Sequence, residues 1–171
     1  MFREVEKLID KLINKECTFL YRASDMLCLR IGDTILIDSR KTKGEKEESP
    51  EYRIHFQCQW RFVKGGKILL ASHDIYNPYN NELEYDDNWD WDKWGREKEQ
   101  SSVFDVKQED FTNIFLPLKI KNIYFTDTHD LHIEFDKGII FDTFITQSTK
   151  REYYRFLDFH TDNHIVVFDV D

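Results

Sequence analysis

Arg53 to Tyr76 decides the fold: RIHFQCQWRFVK (53–64), Gly65-Gly66, then KILLASHDIY (67–76). Two runs of alternating apolar and polar residues enclose a glycine pair, the sequence pattern of a tight β-hairpin. A two-residue turn sets Val63 opposite Ile68, Arg61 opposite Leu70, Gln59 opposite Ser72, Gln57 opposite Asp74 and His55 opposite Tyr76. Side chains alternate faces along a strand, and opposed residues share a face. One face is therefore apolar, with Ile54, Phe56, Cys58, Trp60 and Phe62 beside Leu69, Ala71 and Ile75. The other carries His55, Gln57, Gln59, Arg61, Ser72, Asp74 and Tyr76.

Outward from the hairpin the same period persists. Strands are expected at 17–22, at 26–31 and 34–37 around Gly32-Asp33, and at 120–126, 131–136, 139–146, 153–159 and 164–170. Val5, Leu8, Ile9, Leu12 and Ile13 recur at helical spacing, which predicts an amphipathic N-terminal helix. Ser102 stands where an N-cap would, ahead of a helix over 103–114 that turns Phe104, Phe111 and Phe115 inward. Residues 39–51, polar and of mixed sign, read as a mobile loop. The expected fold is α+β: a single domain over 1–171, with a meandering, mainly antiparallel sheet of hairpins and two helices packed on it.

Acids outnumber bases by 33 to 24. The resulting charge of −9 argues against nucleic acid and anionic membranes as partners, because both attract basic surfaces. Three cysteines without short spacing form neither a disulfide framework nor a zinc motif. The first residues are acidic where a signal peptide would be basic, and no apolar run is long enough to span a bilayer, so a cytoplasmic protein is expected. The oligomeric state is not legible.

Residues 77–99 form an acidic, aromatic insert in which Trp89, Trp91 and Trp94 interleave with Asp and Glu. Two readings apply: an exposed surface where indoles anchor a basic protein partner, or an Ω-loop whose indoles pack back onto the domain. The insert misses a calcium loop, since Trp91 occupies the position that needs Gly. Asp130, His132, Glu134 and Asp136 share a strand face, but alternate residues lie ~7 Å apart, too far to chelate one ion without a third element. Cys58 and His73 face each other in the predicted register, yet on the apolar face, where a thiol is inert packing. No phosphate-binding glycine loop, nucleophile elbow or zinc-protease motif is present. No cofactor, metal or catalytic group is expected.

Trp60-Arg61-Phe62-Val63, a turn and Lys67-Ile68-Leu69-Leu70 parallel Tyr154-Arg155-Phe156-Leu157, a turn and His164-Ile165-Val166-Val167. This suggests two similar hairpins, each presenting an arginine at the same place.

His55-x-Gln57-Cys58-x-Trp60-Arg61, Asp74-Ile75-Tyr76, Phe104-Asp105, and the late aromatic-Arg and His-Ile-Val-Val blocks resemble an uncharacterised family of small bacterial intracellular proteins. Tyr154-Arg155 stands where that family tends to have Trp-Arg, and the acidic insert is atypical of it. Some members look like neighbours of contact- or secretion-delivered toxins. The resemblance implies an immunity-type role, and the acids of the insert add a basic protein as partner, a toxin in the immunity reading; the expected function is a non-enzymatic protein-binding module. The expected binding residues are His55, Gln57, Gln59, Arg61, Asp74, Tyr76, Trp89, Trp91, Trp94 and Arg155. The alternative is a small ligand-binding domain or hydrolase using the face around His55, Arg61 and Asp74.

Overall fold

The computed structural model describes residues 2–39, 42–84, 86–93, 97–149, 151–161 and 163–168. Helix α1 (Phe2–Asp10) is followed by β1 (Glu16–Ala23), β2 (Met26–Asp38), β3 (Lys46–Phe56), β4 (Gln59–Lys64) and β5 (Lys67–Ala71). The insert comes next. Then α2 (Val103–Phe115) is followed by β6 (Leu118–Phe125), β7 (Leu131–Phe135), β8 (Ile139–Phe144), β9 (Glu152–Asp158) and β10 (Asn163–Phe168). The α+β class holds. Among the described residues, no helix is long and apolar enough to cross a membrane.

Ten strands form one antiparallel sheet in the order β10-β9-β3-β2-β1-β6-β7-β8-β4-β5. It divides into two halves. The first is the meander β1-β2-β3 with the hairpin β9-β10 added beside β3; the second is the meander β6-β7-β8 with the hairpin β4-β5 added beside β8. Their strand ladders meet where Glu16 and Cys17 pair with Lys119 and Leu118. Exchanging the first five strands with the last five leaves this pairing pattern unchanged, and a helix precedes each set. The chain is an internal repeat of one helix and five strands in which each repeat adds its closing hairpin to the other. The two hairpins that look alike in sequence are these two.

The inner faces of the halves pack on each other. Phe56 of β3 meets Phe141 of β8 with ring centroids 4.8 Å apart, and Phe62 lies 4.7 Å from Phe141. Trp60, 2% exposed, contacts Phe104 of α2, and Phe62 contacts Phe111. Val5, Leu8, Ile9 and Leu12 bury the apolar stripe of α1 in the same core. Ser102 caps α2 as expected, its hydroxyl accepting from the Asp105 N–H at 3.1 Å. Ile13, expected on the buried stripe, is exposed, because α1 ends at Asp10 and Asn14 takes a positive φ of 69°.

Several expectations need correction. The strand expected over 53–64 is two strands, broken at Gln57-Cys58 and belonging to opposite halves. The break leaves the parity intact: Phe56, Trp60 and Phe62 are buried, Cys58 packs partly buried against them, and Gln57 and Gln59 are exposed. The hairpin keeps Val63 opposite Ile68, but a bulge then pairs Phe62 with Leu70 and Arg61 with Ala71, so Leu70 is the residue in the core. β5 stops at Ala71, and Ser72–Ile75 is a 3₁₀ turn. The pairings Gln57–Asp74 and His55–Tyr76 therefore do not exist, and His73 is exposed.

Gly32-Asp33 closes no hairpin. β2 runs through it with a register shift between Ile31 and Thr34, and the β1–β2 turn lies at Ser24-Asp25. The cause is Glu51, whose carboxylate accepts the Asp33 N–H at 3.0 Å in the space that Gly32 leaves. Glu51 also corrects the 39–51 loop. Lys46 to Glu51 is strand, paired with β2 from Asp38 to Thr34, and Lys46, one of the charges that suggested a loop, forms a cross-strand pair with Asp38 at 2.6 Å. Pro50 is tolerated there because β9 pairs with β3 only from Tyr52 onward, leaving that flank an edge. Of the last strand expected, Asp169 and Val170 lie outside the described residues.

Candidate functional site

The repeat sets two ladders of side chains on the outer faces of the halves. In the first, Tyr21, Cys28, His55 and Arg155 stand directly opposite one another across β1, β2, β3 and β9. In the second, Tyr124, His132, Asp142 and Arg61 do the same across β6, β7, β8 and β4. Tyrosine and arginine end both ladders. Two residues along each strand, the flanking row of the first is Phe19, Arg30, Arg53 and Leu157; that of the second is Asn122, Glu134, Ile140 and Val63.

The middle residues differ in charge, with consequences for every neighbour. In the second ladder Asp142 shares a 2.6 Å hydrogen bond with the His132 Nδ1 and lies 4.0 Å from the Arg61 Nε. Glu134 stands 3.7 Å from the other imidazole nitrogen, and the Arg61 guanidinium lies over the Phe144 ring at 4.8 Å. The charges of this face are matched within it, although the buried Arg61 Nε lies beyond hydrogen-bond distance of Asp142 and has no hydrogen-bond partner among the described residues.

In the first ladder His55 takes the place of Asp142, and Arg53 and Arg30 take those of Ile140 and Glu134. Both imidazole nitrogens of His55 are buried without a hydrogen-bond partner, as are the Nε atoms of Arg30 and Arg53. The Arg53 guanidinium lies over the Phe159 ring, 5.1 Å away. Arg155 is held by Glu152 through two hydrogen bonds of 2.8 and 2.9 Å. Burial, reinforced by the positive charges of Arg155 and Arg53, pushes the His55 pKa down to about 4. Burial likewise raises the Cys28 thiol to about 11. Three guanidiniums thus face one carboxylate on a patch of a strongly acidic chain.

The expected binding residues scatter. His55 and Arg155 lie on the first face and Arg61 on the second. Asp74 turns back onto the end of β5, accepting the Ala71 N–H at 3.0 Å, with Lys107 at 3.8 Å. Gln57, Gln59 and Tyr76 do converge. They line a polar cleft of about 250 Å³ with Asp25, Cys58 and Arg151, beside the crossover from β3 to β4. The Cys58 thiol is pushed by burial up to about 12. Arg30 and Arg53 escaped the sequence reading. The readable signal was the two-residue spacing of Arg53 and His55, which fixes them on one face.

The insert is closed at its base, where the Val103 N–H donates to Asn77 and the Tyr79 N–H to Ser101, both at 2.8 Å. The Arg22 side chain, 2% exposed, clamps it: Nε and Nη2 reach Asp105 at 2.8 and 3.0 Å, and Nη2 reaches the Trp91 carbonyl at 3.1 Å. Trp91 packs partly buried, 4.9 Å from the Tyr76 ring, and the Trp89 indole donates to the Gln100 carbonyl at 3.0 Å. Trp94 lies outside the described residues. Of the insert's carboxylates, Asp92 accepts from the Ser24 hydroxyl and contacts Arg22, while Asp86 and Asp90 accept N–H groups of their own loop. Among the described residues no three His, Cys, Asp or Glu side chains converge as metal ligands would.

Comparison of the chain with family models, curated proteins and solved structures returns no match.

Proposed function

We propose that this is a non-enzymatic protein-binding module that receives its partner on the outer face of the first half-sheet, around Arg30, Arg53, His55 and Arg155. The observation that carries the reading is a group of half-buried basic side chains, Arg30, Arg53 and His55, whose buried nitrogens have no hydrogen-bond partner among the described residues. Burying such groups unsatisfied is costly, and a partner's anionic group beside the half-exposed guanidiniums would offset that cost. Phe19, 38% exposed and stacked with Tyr21 at 6.1 Å, adds an aromatic anchor of the kind interfaces use. An immunity-type role acts by occupancy alone, and on this cationic face the partner presents acidic groups in place of the basic ones expected from the insert.

A second reading rests on the insert. Glu82, Asp86, Asp87 and Asp90 are exposed on a clamped loop, with no lysine or arginine paired to them among the described residues. They suit a basic protein partner drawn in by long-range attraction. One experiment separates the two: affinity capture from the source cells with the wild type, Arg53→Glu, and the double variant Asp87→Lys/Asp90→Lys. Loss of a captured protein with Arg53→Glu alone supports the sheet face. Loss with the insert variant alone moves the site to the insert.

A further inference from the structure

The second ladder shows what the first lacks. At one position of the repeat, Asp142 stands between a histidine and an arginine and bonds the histidine; at the equivalent position His55 stands beside Arg155 with both nitrogens orphaned. The flanking acid Glu134 likewise has Arg30 as its counterpart. One arrangement carries its own carboxylates. The other keeps the arginine of that arrangement, has Cys28 where the histidine stands, and adds two guanidiniums in the flanking row; among the described residues its carboxylate partner is Glu152.

Resting on the sheet-face reading, we infer that the first face is a receptor for a carboxylate of an acidic protein segment, seated beside His55 within reach of Arg53 and Arg155, where Asp142 stands in the other half. Arginine suits this role because its planar fork receives both carboxylate oxygens. The ligand is a protein segment and not a nucleic acid for two reasons. A chain of net charge −9 repels an extended polyanion over most of its surface, whereas a single carboxylate meets only the local field. Phe19 and Tyr21 also supply apolar contacts beside the cations, as a segment alternating acidic and apolar side chains would need.

The test uses the full chain and two synthetic probes: a short labelled peptide of alternating Glu and Leu, and its counterpart with Gln for Glu. Binding is read by fluorescence anisotropy. The Glu peptide binds, and the Gln peptide binds ~10-fold or more weakly, the usual factor for a charge-assisted hydrogen bond. His55→Asp installs the carboxylate from within; it abolishes peptide binding and raises the melting temperature. Arg53→Ala, a milder change, also loses the peptide with its circular dichroism unchanged, and serves if His55→Asp does not fold. Equal binding of the two peptides overturns the carboxylate receptor while leaving a docking face in place. Binding of neither peptide, with capture from cells indifferent to Arg53→Glu, overturns both. A single-stranded oligonucleotide that binds more tightly than the Glu peptide, full affinity retained by His55→Asp, or a concentration-dependent dimer abolished by Arg53→Glu each overturns the proposed occupant.

Discussion

Replacing Gly32 by alanine should unfold this protein more readily than the addition of one methyl group to the bulge in β2 suggests. Gly32 has φ +84°, and a methyl group there would stand 2.2 Å from the Glu51 Oε2 and 3.0 Å from its Cβ. Glu51 cannot swing away freely. Its carboxylate accepts from Lys15 at 2.6 and 2.9 Å, from His160 at 2.9 Å and from the Asp33 N–H at 3.0 Å. Burial raises the Glu51 pKa, but the hydrogen bonds from Lys15 and His160 outweigh it and hold the group down at about 2. The left-handed backbone costs alanine ~1–2 kcal/mol. Displacing the carboxylate sacrifices one or two charge-assisted bonds at ~1.5–3 kcal/mol each. A total of ~2.5–8 kcal/mol follows, measured by urea unfolding at neutral pH. In a Glu51→Ala background the collision is absent, and the same substitution should cost only the backbone share, ~1–2 kcal/mol. Equal costs in both backgrounds, or a loss below ~1 kcal/mol in the wild type, would refute the argument.

Arg22→Met leaves the Asp105 carboxylate without its buried partner and frees Trp91; a loss of ~3–5 kcal/mol is expected, with protease cleavage concentrating in the insert and a red-shifted tryptophan emission. His55 stays neutral in the folded chain down to about 4, whereas an unfolded histidine takes up its proton near 6.5. The unfolded state therefore binds more protons between those values, and stability should fall as pH drops from 6.5 to 4. Melting temperatures across that window should show the fall, and His55→Gln should flatten it. The cysteine thiols, raised to about 11 at Cys28 and about 12 at Cys17 and Cys58, should react slowly with iodoacetamide at pH 8 until the chain is denatured.

Alternation and turn chemistry made most strands, the Gly65-Gly66 turn and the Ser102 cap legible. The break at Gln57-Cys58 was not, because Phe56, Cys58 and Trp60 keep the same parity across it and no proline or glycine marks it. Nor was the bulge at Gly32-Asp33, whose cause sits at Glu51 and acts only through tertiary contact. The functional residues divide the same way. The matching positions of Arg61 and Arg155 could be read from the paired motifs, and the structure places them at equivalent ends of two ladders. Arg30 and Arg53 could not be singled out, since an arginine on a polar strand face looks the same whether a carboxylate answers it or not.

The exchange of hairpins between the repeats bears on how the chain reaches this state. β9 must find β3 across roughly a hundred residues, as Tyr52 opposite Asp158 requires, and β4 must find β8 across the insert and α2. Neither half can complete its sheet from a contiguous stretch of chain, so a nascent first half has no finished product to fold into before the last strands emerge. Ordering so many distant partners at once makes assembly slow and closely all-or-none. The same interlock holds the halves together afterwards. A cut within the insert would leave two fragments, each gripping a hairpin of the other, and separating them would require undoing the pairing in both halves.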